Sequence, residues 1–527
     1  MNFPSLFLQR LDSFIPPMTP TPTTTFILFV LLVVSPRVPF VRSDFAGLGS
    51  LNVAPHEFIG SVRIVGDVFQ NMTSTLKSVF SINVDSHFRL SDAIAACLEL
   101  FDLSADELSW SISAVQSPQG KHNSTGNLSS DLRTWLSAAL ANTDTCMDGF
   151  EGTSGNMKGL ISSQIDQAKV LLQKLVTQVK PVWDDFSAIS SAKFPSWVEV
   201  EDKMMMQSNG VRADAVVAAD GSENFTKVMD AVNAAPEYSI KRFVIHIKKG
   251  VYDERVEISK KKWNLFMIGD GMDSTVITGN VSYSQNVTTF RTATFAVNGR
   301  GFIARDISFR NTAGPEKHQA VALRSDSDLS VFYRCGVSGY QDTLYAHSLR
   351  QFYRECKISG TVDFICGHAN VVFQNCTLLV KKGLPLQKNT ITAQSETDPT
   401  QSSGFSIQFC NISADYDLVP LLNTTSTYLG RPWKAYSRTI VMQSYISEVL
   451  RPEGWLEWNG SLYLDTLYYA EYNNYGPGAK LDNRVKWPGY HVINDSTQAY
   501  NFTVAHLILG HLWLPSTGIT FAPGFED

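Results

Sequence analysis

The spacing of apolar residues changes once along the chain, near residue 210. Before that point apolar residues recur at alternating intervals of three and four, which is typical of amphipathic helices. After it, short β-branched and aromatic runs alternate with turns such as Asp220-Gly221 and Asp270-Gly271, which predicts strands. The pattern therefore predicts an all-α domain followed by an all-β domain.

Five helical segments are predicted in the first half. The longest covers residues 56–80, and the others carry apolar stripes within residues 90–101, 104–110, 132–140 and 161–179. Ser104 and Glu107 form a capping-box pattern, which predicts that a separate helix begins there. Stripes of this kind pack together in an antiparallel bundle. No polar cluster in this half indicates chemistry, so we interpret it as a regulator, chaperone or binding module.

The strand pattern of the second half repeats. The apolar clusters at Val331, Phe352 and Val372 recur about every 20 residues, with spacings of 21 and 20. One short strand per 20-residue unit is typical of a solenoid in which each coil stacks on the last. We therefore predict a parallel β-helix rather than a sandwich, whose connections are hairpins.

Two carboxylates and two carboxamides follow the same repeat. Asp342 and Asp363 are 21 residues apart, and Gln319 and Gln341 are 22 apart. Since neighbouring strands lie about 4.8 Å apart, residues one period apart form a column on one face. Their neighbours are apolar, and a partly desolvated patch of this type supports acid/base chemistry. The alternative is a solvated or structural ladder, which spacing alone leaves open.

Charge argues against one class of partner. The net charge is −6, and from Val211 onward Lys+Arg and Asp+Glu are 30 each, so the first 210 residues carry the whole excess. Nucleic-acid-binding proteins concentrate basic residues on one face, and this chain has no basic stripe. We therefore predict no nucleic-acid partner. Any acidic polymer would be held by local contacts rather than by long-range attraction.

The N-terminus has the pattern of a targeting segment. Arg10 precedes an apolar run at residues 26–34, which is too short to span a bilayer but matches the core of a secretory signal. We predict a signal peptide or signal-anchor region over residues 1–43, the uncleaved anchor being the alternative, and no stable membrane span in the mature form. Twelve Asn-x-Ser/Thr sequons independently favour secretion and glycosylation.

Seven cysteines in a secreted chain indicate disulfides with one thiol left over. Cys335 and Cys356 lie one repeat apart, which suits a bridge between adjacent coils. The full prediction is Cys97–Cys146, Cys335–Cys356 and Cys376–Cys410, with Cys366 free.

These patterns divide the chain into four segments. They are the targeting region 1–43, a helical bundle at 50–182, a linker at 183–210 and a β-helix at 211–527.

Five short motifs then identify a family. In chain order they are G-V-Y-D-E at 250–254, Q-A-V-A-L at 319–323, Q-D-T-L-Y at 341–345, G-T-V-D-F-I at 360–365 and L-G-R-P-W at 429–433. With these motifs in this order, the region from Ala215 to about Gly524 resembles plant pectin methylesterases. The first half, especially from Ser91 to Val179, is similar to the pectin methylesterase inhibitor-type pro-region that precedes many of these enzymes.

The resemblance implies an architecture and an activity. It implies a right-handed parallel β-helix that hydrolyses the C6 methyl esters of homogalacturonan to acidic pectin and methanol, in the plant cell wall, without metal or organic cofactor. Pectin would be the main partner. A proteinaceous inhibitor or the chain's own pro-region would be a second partner.

The resemblance also implies a role for each motif residue. Asp363 would be the nucleophile and Asp342 the general acid and then base, with Gln341 and Gln319 forming the oxyanion hole. Arg431 would hold the nucleophile, and Trp433 and Thr289 would contact the substrate. Tyr345 follows Asp342 on the predicted active face, so we expect it to be an aromatic surface for the sugar rather than a core residue. Two carboxylates this close do not both ionise cheaply, so we expect the pKa of Asp342 to rise.

Three departures from the family pattern follow. Cys366 and His368 stand where the family usually has Phe and Asn, which removes an aromatic surface and adds a titrating group near the dyad. The linker has Lys203-Met204-Met205-Met206 in place of the usual basic pair and two leucines, and the helical half lacks the family's early cysteine pair.

The departures leave rival functions open. One is a catalytically impaired pectin-binding or inhibitory protein of the same fold. Another is a glycosidase or a lyase acting on the same polymer; an inverting glycosidase needs carboxylates about 6.5–9.5 Å apart, and a lyase needs an acidic calcium cluster. We predict no metal site, because Asp363, Cys366 and His368 fit no standard zinc spacing.

Overall fold

The computed structural model describes residues 48–80, 88–117, 125–153, 157–181 and 212–525. We call residues 48–181 the helical half and residues 212–525 the β-helix half. The predicted targeting segment (1–43) and the predicted linker (183–210), including Lys203, lie outside the described residues. None of the helices within the described ranges has both the length and the apolar character needed to cross a membrane.

The described part of the helical half contains four long helices. They are α1 (Pro55–Phe80), α2 (Phe88–Gln116), α3 (Leu128–Gly149) and α4 (Met157–Gln178). Their apolar stripes meet in a core that includes Phe58, Leu100, Trp135 and Leu172, all fully buried. The predicted bundle is therefore confirmed.

The predicted break at Ser104 is wrong, because α2 runs straight through it. The Ser104 hydroxyl donates to the carbonyl of Leu100 one turn earlier (3.0 Å), and Asn142 of α3 donates to Ser104 Oγ (3.0 Å) and Glu107 Oε2 (3.2 Å). These polar side chains serve a buried contact between helices rather than a helix start. The predicted Cys97–Cys146 disulfide joins the same two helices.

The β-helix half contains three parallel sheets. The first holds β1 (Ala215–Val217), β2 (Phe243–Ile247), β5 (Leu265–Gly269), β8 (Ile303–Arg305), β11 (Ser330–Tyr333), β14 (Arg350–Arg354), β17 (Asn370–Gln374), β20 (Gly404–Gln408), β23 (Arg438–Met442), β25 (Tyr468–Tyr472) and β26 (Tyr490–Val492). The second holds β4 (Val256–Ile258), β7 (Phe295–Val297), β10 (Leu323–Ser325), β13 (Leu344–Ala346), β16 (Ile365–Gly367), β19 (Asn389–Gln394) and β22 (Thr427–Gly430). The third holds β3 (Gly250–Asp253), β6 (Thr275–Gly279), β9 (Ser308–Asn311), β12 (Gly336–Ser338), β15 (Lys357–Gly360), β18 (Thr377–Val380), β21 (Asn411–Ala414) and β24 (Tyr445–Ile446).

Successive coils contribute one strand to each sheet, which makes the predicted parallel β-helix; crossovers of this kind are right-handed. Phe332, Tyr353 and Phe373 stack inside the coils, with ring centroids 4.6 and 4.9 Å apart. The residues one position earlier in these strands face outward and pack against C-terminal helices. The short helices of this half are α5 (Val228–Ala234), α6 (Ser496–Tyr500), α7 (Val504–Leu507) and α8 (Gly510–Trp513).

The predicted Cys335–Cys356 and Cys376–Cys410 disulfides are wrong. All four thiols are buried and unpaired, and Cys366 is also free, as predicted. The flanking strands are in register, with Gly336 opposite Lys357 and Lys357 opposite Thr377. In-register strands carry their side chains side by side, whereas a disulfide requires a specific approach of the two Cβ atoms.

This arrangement predicts a thiol count. Purified protein unfolded in denaturant without reductant should react with Ellman's reagent at five thiols, because only Cys97 and Cys146 are bonded. Unfolding a second sample in a fast alkylating agent instead of Ellman's reagent prevents thiol exchange, and mass spectrometry should then count the same five thiols as alkyl adducts. One reactive thiol instead of five would restore the sequence-based pairing.

Candidate active site

The two repeat-related aspartates lie on neighbouring coils, just before β13 and β16. Asp342 and Asp363 both have left-handed backbones (φ 57° and 50°), a conformation that Asp adopts more readily than most residues. The Asp342 N–H donates to the Val362 carbonyl (3.1 Å), and Leu344 is in register with Ile365. The two side chains are therefore one coil apart at the same corner of the solenoid.

Asp363 is fixed by two partners. Arg431 donates from Nε to Oδ1 (2.9 Å) and from Nη2 to Oδ2 (2.6 Å), a bidentate pair. The Thr390 hydroxyl donates to Oδ1 (2.6 Å) and accepts from the Asp363 N–H (2.9 Å). The Arg431 guanidinium lies 4.4 Å from the ring centroid of Trp458. A fork of this type fixes both the charge and the orientation of a carboxylate.

Asp342 has a different environment, although it is only one coil away. Burial and, next, the neighbouring Asp363 carboxylate raise the pKa of Asp342 well above its ordinary value, and Arg431 only partly opposes them. The two carboxylates of the dyad therefore have different environments, and enzymes separate the roles of two carboxylates by differences of this kind.

Gln319 and Gln341 form the neighbouring column. They pair as an isolated parallel bridge between coils, and Ala320 N–H donates to the Gln341 carbonyl (3.1 Å). Both residues line the cavity that contains the dyad. Neutral amides in this position can donate to an oxyanion without acting as acids.

All eight residues that we predicted for chemistry or substrate contact line one cavity of about 250 Å³. The ring centroids of Tyr345 and Trp433 lie 6.2 Å apart on one side of it. The set is Gln319, Gln341, Asp342, Asp363, Arg431, Trp433, Thr289 and Tyr345. The structure brings these residues together, and their individual roles stay predictions.

The two residues that depart from the family pattern after Asp363, Cys366 and His368, behave differently. Cys366 lines the cavity next to the dyad, and burial raises the pKa of its thiol well above the ordinary value. His368 is buried, and its Nδ1 lies 3.4 Å from the Ser395 carbonyl. Burial lowers the pKa of His368 to about 4, so the imidazole is neutral at most working pH values. The expectation of a group that titrates beside the dyad is therefore not met.

The helical half covers this cavity. Arg89 and Ala96 of α2, and Thr145 and Asp148 of α3, line the same space as the dyad. Tyr345 and Cys366 belong to an apolar cluster shared with Trp135 and other bundle residues. Only 2% of the surface of each of Tyr345 and Cys366 is exposed. The helical half therefore buries side chains of this cavity, which we call the groove.

Sequence reasoning missed two residues of the site. Thr390 lies on the next coil and forms hydrogen bonds with Asp363. This coil is longer than the repeat of about 20 residues, because Ile365 is in register with Thr392, 27 residues later. A search at the period of 20 does not reach Thr390. Trp458 follows the last strand of the second sheet in an irregular segment, so no repeat marks it. Its proximity to Trp433 in the sequence was the one available signal.

Comparison with known proteins agrees with this geometry. The Pectinesterase family model matches residues 214–511, and the model described as plant invertase/pectin methylesterase inhibitor matches residues 59–179. A pectinesterase/pectinesterase inhibitor of Prunus persica is 60% identical over 95% of this chain and 96% of its own length. A probable pectinesterase/pectinesterase inhibitor of Arabidopsis thaliana is 57% identical over 95% of this chain and 97% of its own.

Solved structures match the β-helix half. Pectin methylesterase from carrot aligns over 60% of this chain and 100% of its own, with 52% identity and a TM-score of 0.60. Pectin methylesterase from Aspergillus niger aligns over 59% of this chain and 98% of its own, with 29% identity and a TM-score of 0.50. The two family models match in the same order along the chain as the helical half and the β-helix half. The chain therefore belongs to the pectinesterase family of carboxylic ester hydrolases, with an inhibitor-type helical domain ahead of the β-helix.

Proposed function

We propose that the β-helix hydrolyses the C6 methyl esters of homogalacturonan, releasing methanol and acidic pectin, with Asp363 as nucleophile and Asp342 as general acid and base. The observation that carries the proposal is the asymmetric dyad. Asp363 receives the bidentate Arg431, whereas the pKa of Asp342, one coil away, is raised by burial and by Asp363. A nucleophile needs the ionised form, and an acid needs the protonated form.

The reaction would proceed in two balanced steps. The Asp363 carboxylate attacks the ester carbonyl, and the amides of Gln319 and Gln341 donate to the oxyanion. The C–OCH₃ bond breaks, and the proton of Asp342 passes to the methoxide, which leaves as methanol. Asp342, now ionised, takes a proton from water, whose hydroxide attacks the acyl-enzyme and frees Asp363 and the uronate. Loss of one oxyanion donor typically costs about 10²-fold or more in kcat.

The proposed roles predict a pH dependence. Since Asp342 must carry a proton, kcat/KM should fall as the pH rises through its raised pKa. Arg431 lowers that pKa, so Arg431→Met should move this alkaline limb to higher pH, besides lowering the rate. Methanol release measured across pH for both proteins tests this. An unmoved or downward-shifted limb would assign it to another group.

We further propose that the helical half acts as an internal inhibitor, since α2 and α3 line the dyad's cavity. Secretion to the cell wall, predicted from the N-terminal pattern and the sequons, places the enzyme with its polymer. Pectin and the chain's own helical domain are then its two partners.

The test compares the proposed β-helix domain, residues 211–527, with the full chain. The carrot enzyme is covered along its whole length by 60% of this chain, so this fold exists without a helical half. We expect residues 211–527 to release methanol from methylated pectin at least about tenfold faster than the full chain, because covered sites are unavailable to ligand. Equal rates would exclude internal inhibition. Properly folded β-helix without methanol release would favour the impaired pectin-binding alternative.

A further inference from the structure

Two cations lie next in sequence to residues that line the groove, Arg291 after Phe290 and Lys434 after Trp433, and form ion pairs across the boundary between the halves. Arg291 contacts Asp92 (Nε–Oδ1 3.0 Å) and Glu99 (Nη1–Oε2 3.4 Å), both on α2. Lys434 contacts Asp148 of α3 (Nζ–Oδ1 2.8 Å). Among the described residues, all the ion-pair partners of these two cations come from the helical half.

The two cations flank the dyad along the stack. The second sheet runs in the order β22, β19, β16, β13, β10, β7, and the dyad residues directly precede β13 and β16. Arg291 precedes β7 in its coil, and Lys434 follows β22. Each is therefore two coils from the nearer aspartate, roughly 10 Å along the axis at the strand spacing of a sheet.

The groups that contact these two cations are carboxylates, which are also the charged groups of a polyuronate. The side chains of Arg291 and Lys434 are 28% and 22% exposed, so they are partly desolvated even in the covered form. A partly buried cation is stabilised by a carboxylate at hydrogen-bond distance and destabilised without one. Between the two ends, the Thr145 hydroxyl contacts His347 Nε2 (2.7 Å), a neutral contact that a sugar hydroxyl can also make.

We propose that Arg291 and Lys434 are carboxylate subsites for free uronate residues on either side of the ester to be cleaved, and that Asp92, Glu99 and Asp148 occupy them as an internal mimic of de-esterified pectin. This inference rests on the proposed function of the groove. It makes the two cations specificity determinants: the uncovered enzyme binds a methylated residue best where free uronates flank it.

The experiment uses the full chain with a protease site introduced between residues 182 and 211. After cleavage, co-elution of the halves in size-exclusion chromatography is followed while oligogalacturonates of one length are added, either fully de-esterified or fully methylated. The de-esterified oligomer should release the helical half at a concentration about tenfold lower, because only it supplies carboxylates to the two cations. If the halves separate on cleavage alone, the same titration is read as inhibition of their reassociation.

Two variants sharpen the result. Lys434→Met should reduce the concentration ratio between the two oligomers several-fold, and Arg291→Met should do the same. Lys382→Met changes an exposed lysine whose described hydrogen bond, from its backbone N–H to Asp417, lies within the β-helix half, and it should leave the ratio unchanged. Equal release by both oligomers, or an unchanged ratio in both groove variants, would overturn the subsites. Release needs no catalysis, so loss of methanol production would contradict the proposed function alone.

Discussion

Asp363→Asn should lower methanol release by residues 211–527 by about 10⁵-fold or more, the scale on which removal of a covalent nucleophile acts. A carboxamide fits the same space and can still accept from Arg431 and Thr390 through one oxygen. It has no negative charge, however, and its nitrogen faces an arginine that can only donate. The variant keeps the groove and loses the attacking group. Methanol release in a coupled oxidase assay, over hours and at high enzyme concentration, covers this range.

The chain offers a matched control in Asp306→Asn. Asp306 also has a left-handed backbone (φ 59°), and it receives a bidentate arginine, with Arg334 Nε 2.8 Å from Oδ1 and Nη2 2.6 Å from Oδ2. It lies outside the lining of the catalytic cavity. The two substitutions therefore disturb the same kind of contact, and only one should affect chemistry. If Asp363→Asn keeps more than a tenth of the activity, the nucleophile has been misassigned.

The sequence predicted the fold of the second half because two successive coils, from Val331 to Val372, have nearly equal lengths of 21 and 20 residues. Other coils are longer, with 37 residues between the paired Phe266 and Ile303 and 34 between Val372 and Ser406. Val331, Phe352 and Val372 fall one coil apart in the structure, in register as their spacing predicts. The same regularity placed Asp342 and Asp363 on adjacent coils. Where the coil lengthens, between Ile365 and Thr392, the repeat stopped being informative and Thr390 was missed.

Other errors came from contacts between segments distant in sequence. Ser104 and Glu107 match a helix start, but their polar atoms meet Asn142, 38 and 35 residues away. Local pattern cannot distinguish a cap from a buried interhelical contact. Likewise, spacing placed Cys335 and Cys356 one coil apart, but it could not give the direction of their side chains. The groove is covered by α2 and α3 because the surfaces of the two halves are complementary, and no single motif encodes that complementarity.

A buried ion network joins the halves and leads to the second large effect. Arg350 donates to Asp131 of α3 (Nη1–Oδ1 2.6 Å) and to Asp328 (Nε–Oδ1 2.9 Å, Nη2–Oδ2 2.6 Å). Trp135 of α3 also donates to Asp328 (3.0 Å). The side chains of Arg350, Asp131 and Asp328 are 0% exposed. One guanidinium therefore compensates two carboxylates that have no access to water.

Arg350→Met should destabilise the full chain by about 3–5 kcal/mol, since it leaves charges buried without their partner. Thermal unfolding followed by circular dichroism measures the loss. Arg334→Met is the matched control, because its pair with Asp306 is solvent-accessible, with the Arg334 side chain 44% exposed; exposed pairs contribute about 0–1 kcal/mol. A loss no larger than that of the control would show that the network contributes little.

The pH dependence of the Arg350→Met variant identifies the cause. In the intact protein burial raises the pKa of both carboxyls. At Asp328, Arg350, followed by Arg300 and Trp135, more than offsets this and holds the pKa at about 2, below the ordinary 3.8, whereas the pKa of Asp131 stays above its ordinary value. The stabilisation that ionised Asp328 contributes to the folded protein is present above pH 3.8 and is lost as the pH falls towards 2. Without Arg350, burial would raise the pKa of both carboxyls above their unfolded values. The folded variant then binds more protons than the unfolded chain, so its stability falls as the pH rises. The deficit relative to the intact protein should therefore be larger at pH 7.5 than at pH 4.5, whereas a loss caused by packing alone would be the same at both.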